Sequence, residues 1–471
     1  MLVIIFILAS VAAFTSLSLL RRFLTGNKLS SGDTYFHLYI AEHIQKNSWR
    51  FPKTLPKVIL DEGGNIRYNY LIYPPLLHYI TALIPHKYHL KSARILNLVI
   101  LALISGLAAT LVFSLSSNLP ATFFTVVIVV FNLAVFELAV TFTPRPLGLL
   151  FYSLVVVLAV FFPQNSVALV IISLLVSLIA LSHKFALQIL VLALVPYSLI
   201  FGNPLLLLSL FLGVLLAVAM SRGFYLKILK EHLGWLYFYS RHPPQAKISM
   251  KLKQIFARNF WFLVAVGAIV LFLAQSNPAF DSLMVRTTYW AIITMVVAIV
   301  ISIPRLAFLG EDYRYIEYSI LPVGVIGGLS VVHLNLPVLI LILIALATNV
   351  LALFKYKKYL ATSYSLTNPE DLYAYKKLAE FGSNNMLVIP HIRTLEVGYF
   401  TKLKVVHGVR TVSNSIHDQL EHLTTNYTID YVVKYKKLDP YLTFFTLQKM
   451  FNPVKVFDFE NYEVYQIPHA A

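Results

Sequence analysis

About eleven apolar runs, each near the length of a bilayer-crossing helix, punctuate this sequence and constrain its fold more than any other feature. A hydrocarbon core roughly 30 Å thick is crossed by about 20 apolar residues in a helix, whose backbone polar groups bond to one another. The first run is 2–20; the others fall near 94–114, 120–140, 146–162, 166–181, 185–201, 203–220, 259–274, 287–303, 315–332 and 337–354. No basic segment precedes the first run, which is long and ends at Arg21 and Arg22, so it reads as a retained span rather than a cleaved signal. With only 13% charged residues, the pattern predicts an α-helical polytopic membrane protein.

The connections between runs are of two kinds. One set is short and almost uncharged: Ser116-Ser117-Asn118, Pro163-Gln164-Asn165, Gly202-Asn203-Pro204, the turn Asn277–Ser282, and His333–Asn335, with only Asp281 and Arg286 standing out. The other set carries nearly everything ionisable: 21–93, Thr143–Pro146, Ser182-His183-Lys184, the basic loop 221–258 and Pro304–Arg314. One face is therefore thin and inert, and the other holds the chemistry. The formal charge of +17 sits on that second face, which speaks for a membrane surface or an anionic lipid and against nucleic acid. In the loop 221–258, Trp235, Tyr237, Phe238 and Tyr239 interleave with the basic residues, as in headgroup-binding segments or a loop closing over a lipid substrate. With no cysteine, thiolate metal sites, disulfides and cysteine nucleophiles are excluded.

Within the first polar connection, Ser31–Asn47 reads as a helix: Ser31, Gly32 and Asp33 are start signals, and Phe36, Ile40 and Ile44 share an apolar face. Asp33 and His37, four apart, share another. Asp33 is either the cap of that helix or a functional carboxylate. Further on come a turn at Asp61–Gly64, tyrosines 68, 70 and 73, and Pro74-Pro75-Leu76-Leu77-His78, opening a segment too short to span and read as interfacial. Past Lys355–Lys358 the composition is that of a small soluble α/β domain. Thr367–Glu370 is a helix start and Gly382 a helix end; strands are expected at Met386–Ile389, Tyr431–Tyr435 and a hairpin of Val454–Phe459 with Tyr462–Ile467. The expected domains are 1–354, a membrane domain including the 21–93 and 221–258 loops, and 355–471.

A first span followed by Gly32-Asp33-Thr34-Tyr35-Phe36-His37, with Tyr73-Pro74-Pro75-Leu76 and His78 closing the same loop, resembles the GT-C superfamily of polytopic glycosyltransferases. That group includes oligosaccharyltransferase catalytic subunits, protein O-mannosyltransferases and lipid A aminoarabinose transferases. The resemblance implies a GT-C-like membrane domain and transfer of a sugar from a polyprenyl-phosphate- or pyrophosphate-linked donor to a glycan, lipid or protein acceptor. It places the reaction on the extracytoplasmic side, with an acidic first-loop residue, Asp33, at the catalytic centre. The sequence departs from the group in holding one carboxylate in the motif, and in carrying Arg145 after the third span where oligosaccharyltransferases keep metal-binding carboxylates. A divalent metal (Mg or Mn) stays open, with Asp33 and His37 as the ligands at hand.

Such a transfer needs a base, cations for the departing phosphate and a groove for the isoprenoid. Arg145, His183, Lys184 and Arg314 are the phosphate candidates; each is otherwise an interfacial anchor. His37 and His78 are candidate donors to sugar hydroxyls or phosphate. Glu311, Asp312 and Glu317 around Arg314 form either a salt-bridge cluster or a second acidic arm, and Glu137 within a span requires a partner. Asn426-Tyr427-Thr428 matches a glycosylation sequon. A transporter or flippase of lipid-linked or amphipathic solutes would also want cations beside a lipid groove. It would be expected to show inverted repeats and midplane polar groups instead. The charge bias by itself would put the charged face in the cytoplasm, opposite to the side implied by the resemblance.

Overall fold

Wherever the structure describes them, the apolar runs are helices. The computed structural model describes residues 1–26, 28, 33–52, 58–60, 73–241, 282–310, 312–333, 354, 357, 369–381, 385–389, 393–407, 420–421, 423, 427–436, 443–459 and 461–468. The expected span at 259–274, the loop residues 242–258, the Asp61–Gly64 turn, Tyr68, Tyr70 and Asn426 lie outside these. The span at 337–354 does too, except Phe354. The chain divides into two units: Met1–Leu24, Tyr73–Leu77 and Arg94–Tyr356; and Thr25–Ile72, His78–Ala93 and Lys357–Ala471.

The first unit is helical. Its elements are α1 (Leu2–Thr25), most of α4 (His89–Ser116), α5 (Leu119–Val130), α6 (Leu133–Val140), α7 (Arg145–Phe161), α8 (Ser166–Ser182), α9 (Lys184–Ile200), α10 (Pro204–Met220), α11 (Phe224–Arg241), α12 (Ser282–Ile301), the short α13 (Asp312–Glu317) and α14 (Ile320–His333). The minimal connections work as caps. Asn118 and Asn165 accept hydrogen bonds from the Ala121 and Ala168 amides, and prolines occupy first-turn positions of α5, α7 and α10.

The expected span 120–140 is broken, with α5 and α6 bent by 57°. Asn132 caps α6 through the Ala134 amide, and buried Asn97 donates to the carbonyls of Leu138 and Thr141 at 3.1 and 2.7 Å. The break thus leaves these polar groups bonded inside an apolar bundle. In place of an expected loop, α11 follows α10 at 118°. Among the described residues, three helices are long and apolar enough to cross a bilayer, or five if each bent pair is one span; four further apolar helices are shorter. Small residues let helices approach: a Cβ on Gly328 would lie 2.1 Å from Thr125 Oγ1, and one on Gly213 2.5 Å from Val176 Cβ.

The second unit is built on a six-stranded sheet in the order β1-β3-β2-β4-β6-β5. The strands are β1 (Val58–Leu60), β2 (Met386–Ile389), β3 (Val405–His407), β4 (Tyr431–Tyr435), β5 (Val454–Asp458) and β6 (Tyr462–Gln466). The first four in that order pair in parallel; β6 and β5 run antiparallel as a hairpin. Side chains alternate across the sheet. Met386, Val388 and Val433 face one core, with Leu387, Ile389 and Val432 in the other.

Much of the first polar connection, assigned to the membrane domain by the sequence, belongs to this second unit. Strand β1 extends the sheet edge along β3. Helix α2 (Asp33–Lys46) buries Ile40 and Ile44 in the first core, together with Ala82 of α3 (Leu76–Ala82). The expected interfacial helix is thus buried in protein along Leu77, His78, Thr81 and Ala82. Helices α15 (Pro369–Leu378) and α16 (Thr394–Thr401) cover the same sheet face, and α17 (Thr443–Phe451) the other. Beneath α15 and α16 lies a buried charge cluster in which Arg393 donates to Asp371 at 3.1 Å and to both oxygens of Glu396 at 3.2 and 3.1 Å.

Candidate functional site

In the second unit, α2 begins at Asp33, whose side chain is exposed in the helix's first turn; Ser31 and Gly32 lie outside the described residues. The positive end of the helix dipole favours a carboxylate there. The opposite end of α2 is tied down through Glu42, which accepts hydrogen bonds from Lys46 at 2.6 Å and Lys402 at 2.7 Å, with His86 3.3 Å away. Burial pushes the Glu42 carboxyl up, but the hydrogen bonds from Lys402 and Lys46 outweigh it and hold it below the usual range.

His37 does not share Asp33's exposure. Its Nδ1 lies 2.9 Å from Nε2 of His78, and both rings are buried, with Phe51 edge-on to His78. Burial lowers the His37 imidazole to about 3, so at neutral pH it is uncharged. The two expected sugar or phosphate donors are thus engaged with each other. Among the described residues, no group of three His, Asp or Glu could hold a metal ion. Of the two ligands suggested by the sequence, Asp33 is exposed, whereas His37 is buried against His78.

The first unit assembles the remaining candidates. Arg145, opening α7, donates at 3.0 Å to Glu317, which is buried. His183, immediately before α9, lies 3.2 Å from the Tyr318 hydroxyl. Tyr318 sits edge-on to Tyr152, whose hydroxyl accepts from Trp290 at 2.9 Å. Lys184 and Arg314 both approach the Phe185 ring, at 6.0 and 5.4 Å from its centroid. Arg145 and Arg314 are both within electrostatic reach of Tyr318. Gly310 gives Phe185 its room, since a Cβ there would lie 2.7 Å from Cε1 of the ring. All four predicted phosphate candidates therefore gather around Phe185 and Tyr318.

Glu317, read from the sequence as part of either a salt-bridge cluster or a second acidic arm, is the buried partner of Arg145. Glu311 and the side chain of Asp312 lie outside the described residues, and Glu137 is half-buried in α6. Sequence reasoning missed Tyr318, Phe185, Gln188 and His232. Gln188 donates to Leu309 O at 3.1 Å and Tyr315 Oη at 2.6 Å, and its Oε1 lies 3.1 Å from His232 Nε2. Each lies inside an apolar or basic stretch with nothing in its spacing to mark it, although Gln188 one turn past Lys184 is a polar residue in a span.

No protein-family model matches the sequence, and no curated protein is found similar to it. Solved structures are similar. ArnT from Cupriavidus metallidurans in the apo state aligns over 98% of this chain and 97% of its own, with 13% identity and a TM-score of 0.62. The same protein bound to undecaprenyl phosphate aligns over the same shares with a TM-score of 0.61 and 12% identity. This chain has the GT-C fold. The archaeal oligosaccharyltransferase AglB from Archaeoglobus fulgidus, in complex with an inhibitory peptide and a dolichol-phosphate, shares that fold with a TM-score of 0.56. It is 11% identical, over 90% of this chain and 69% of AglB. The arabinofuranosyltransferase AftD from Mycobacteria gives 0.51 at 13% identity, this chain spanning 41% of it. In this chain Arg145 opens α7, His183 and Lys184 stand at the start of α9, Arg314 lies in α13, and Asp33 opens α2.

Proposed function

We propose that this GT-C protein is an integral membrane glycosyltransferase of about eleven spans. It moves a sugar from a polyprenyl-phosphate- or pyrophosphate-linked donor to a glycan, lipid or protein acceptor on the extracytoplasmic face. The observation that carries this reading is the gathering of Arg145, His183, Lys184 and Arg314 about Phe185 and Tyr318. The undecaprenyl phosphate and dolichol-phosphate in the ArnT and AglB structures support a lipid phosphate as its ligand.

In this mechanism the carboxylate of Asp33 takes the proton from the acceptor hydroxyl or amide. The acceptor atom forms a bond to the anomeric carbon as the bond from that carbon to the phosphate oxygen breaks. The electron pair leaves with the lipid phosphate, whose growing charge is met by the guanidinium of Arg314 and the ammonium of Lys184. Arg145, bonded to Glu317, holds the end of α7 in place and adds its positive charge beside the phosphate. His183 and Tyr318 supply further hydrogen bonds.

Binding to the purified full-length protein tests the phosphate role. Arg314→Gln should weaken undecaprenyl phosphate binding about tenfold, the worth of one charge-assisted hydrogen bond, and leave the neutral alcohol undecaprenol unaffected. Equal weakening of both lipids, or of neither, would contradict it.

A further inference from the structure

A second polar feature lies at the other ends of α7 and α9, about 26 Å along these 17-residue helices from Arg145 and Lys184. There a cavity of about 370 Å³ opens among Gln164, Tyr197, Asn203, Leu205 and Arg286. The short connections at this end are otherwise almost uncharged, so a half-buried arginine in this cavity calls for a reason.

Three groups here lack what they need. Among the described residues, Arg286 makes one hydrogen bond, a long one of 3.4 Å to the Val160 carbonyl, and no carboxylate pairs with it. Tyr197 is 1% exposed, packed at 4.6 Å on Trp290 and 4.7 Å on Phe201, and among the described residues its hydroxyl has no hydrogen-bond partner. Asn203 turns its amide to the Pro163 carbonyl at 2.6 Å, so α10 starts with no side-chain cap, unlike α5 and α8. Among the described residues, then, the buried hydroxyl, the guanidinium and the helix start are each short of an acceptor, and one anionic oxygen group satisfies the three together.

The surroundings say what carries the anion. Leu199, Ile200, Leu205 and Leu208 are exposed beside the cavity, and Tyr289 stands edge-on to Phe201. Exposed leucines on a membrane helix suit acyl chains, and a tyrosine at this level suits the headgroup boundary. We infer that this cavity holds the phosphate of a membrane lipid, with Arg286 and the Tyr197 hydroxyl donating to its oxygens and its chains along Leu199, Leu205 and Leu208. The lipid is an anionic glycerophospholipid or a polyprenyl phosphate, both of which present anionic non-bridging phosphate oxygens. The inference is independent of glycosyl transfer.

Native mass spectrometry of the full chain released from detergent provides the test, with phosphatidylglycerol, undecaprenyl phosphate, neutral diacylglycerol and inorganic phosphate as probes. Arg286→Gln should lower retention of phosphatidylglycerol, or of a second equivalent of undecaprenyl phosphate beyond the one bound beside Arg314, at least tenfold, and whichever lipid responds identifies the source. Tyr197→Phe, which keeps the ring packing, should lower it about threefold. Diacylglycerol binding should not change, nor should exposed Arg305→Gln have any effect. Unchanged phosphate-lipid retention in Arg286→Gln, an equal loss of diacylglycerol, or displacement of the lipid by millimolar inorganic phosphate would overturn the proposal.

Discussion

Arg145, the first residue of α7, donates a hydrogen bond at 3.0 Å to Glu317, which lies 172 residues further on and ends α13. This pair ties two distant parts of the helical unit together beside the candidate phosphate site. Glu317 is 1% exposed and Arg145 16%, so neither charge is well hydrated.

Removing one partner leaves the other charge poorly compensated, which is worse than removing both. Glu317→Gln is expected to destabilise the protein by roughly 3 kcal/mol. The double variant Arg145→Met/Glu317→Leu should recover most of that stability yet bind undecaprenyl phosphate less well than wild type. Thermal unfolding in detergent, paired with lipid binding, reads both effects. A single variant as stable as wild type would show the pair to be dispensable.

The buried histidine pair makes a pH prediction. His37 titrates near 3 in the folded protein and near 6.5 when unfolded, so between those values the unfolded chain binds the extra proton. Its contribution to stability is therefore complete above about pH 6.5 and is lost as pH falls toward 3, by at most about 1.4 kcal/mol per pH unit. His37→Gln, which cannot take up a proton, should flatten the stability profile between pH 6 and 4. An unchanged slope would mean that His37 is not the group responsible.

Glu42 holds the far end of the helix that carries Asp33. Its folded carboxyl lies below its unfolded value, so its contribution is present above about pH 4.5 and lost as pH falls through the lowered value. Glu42→Gln weakens the bonds from Lys402 and Lys46, and should cost roughly 1–3 kcal/mol. Hydrogen exchange across residues 33–46 should speed up, with sugar transfer falling though Asp33 is intact. Protection equal to wild type would argue that Ile40 and Ile44 alone fix the helix.

Much of this arrangement was legible in the sequence because it is local. A run of apolar residues forms a helix in a bilayer whatever its neighbours, and the strands at 386–389, 431–435 and 454–458 carry their own β-branched and aromatic signal. The cation cluster was also legible, since Arg145, His183, Lys184 and Arg314 occupy short connections at one end of the helices. What could not be read depends on pairing across long separations. Three residues, Val58–Leu60, become a strand only because β3 lies beside them, nearly 350 positions later. His37 looks like a site residue on its helix until His78 is found against it. Glu317 looks like an acidic arm until Arg145, 172 residues earlier, is found bonded to it.

The central claim is that Asp33 serves sugar transfer from a lipid carrier. Its most direct test is the release of free polyprenyl phosphate from a set of polyprenyl-phosphate sugars, measured by mass spectrometry with the purified full-length protein in proteoliposomes. Wild type should release the carrier from at least one donor and place the sugar on an acceptor. Asp33→Asn, which keeps the size and helix-starting ability of the residue, should fold equally well and release at least a hundredfold less, the loss expected of a missing general base. Wild-type release by Asp33→Asn, or movement of intact lipid-linked sugar across the bilayer with no bond broken, would contradict the account.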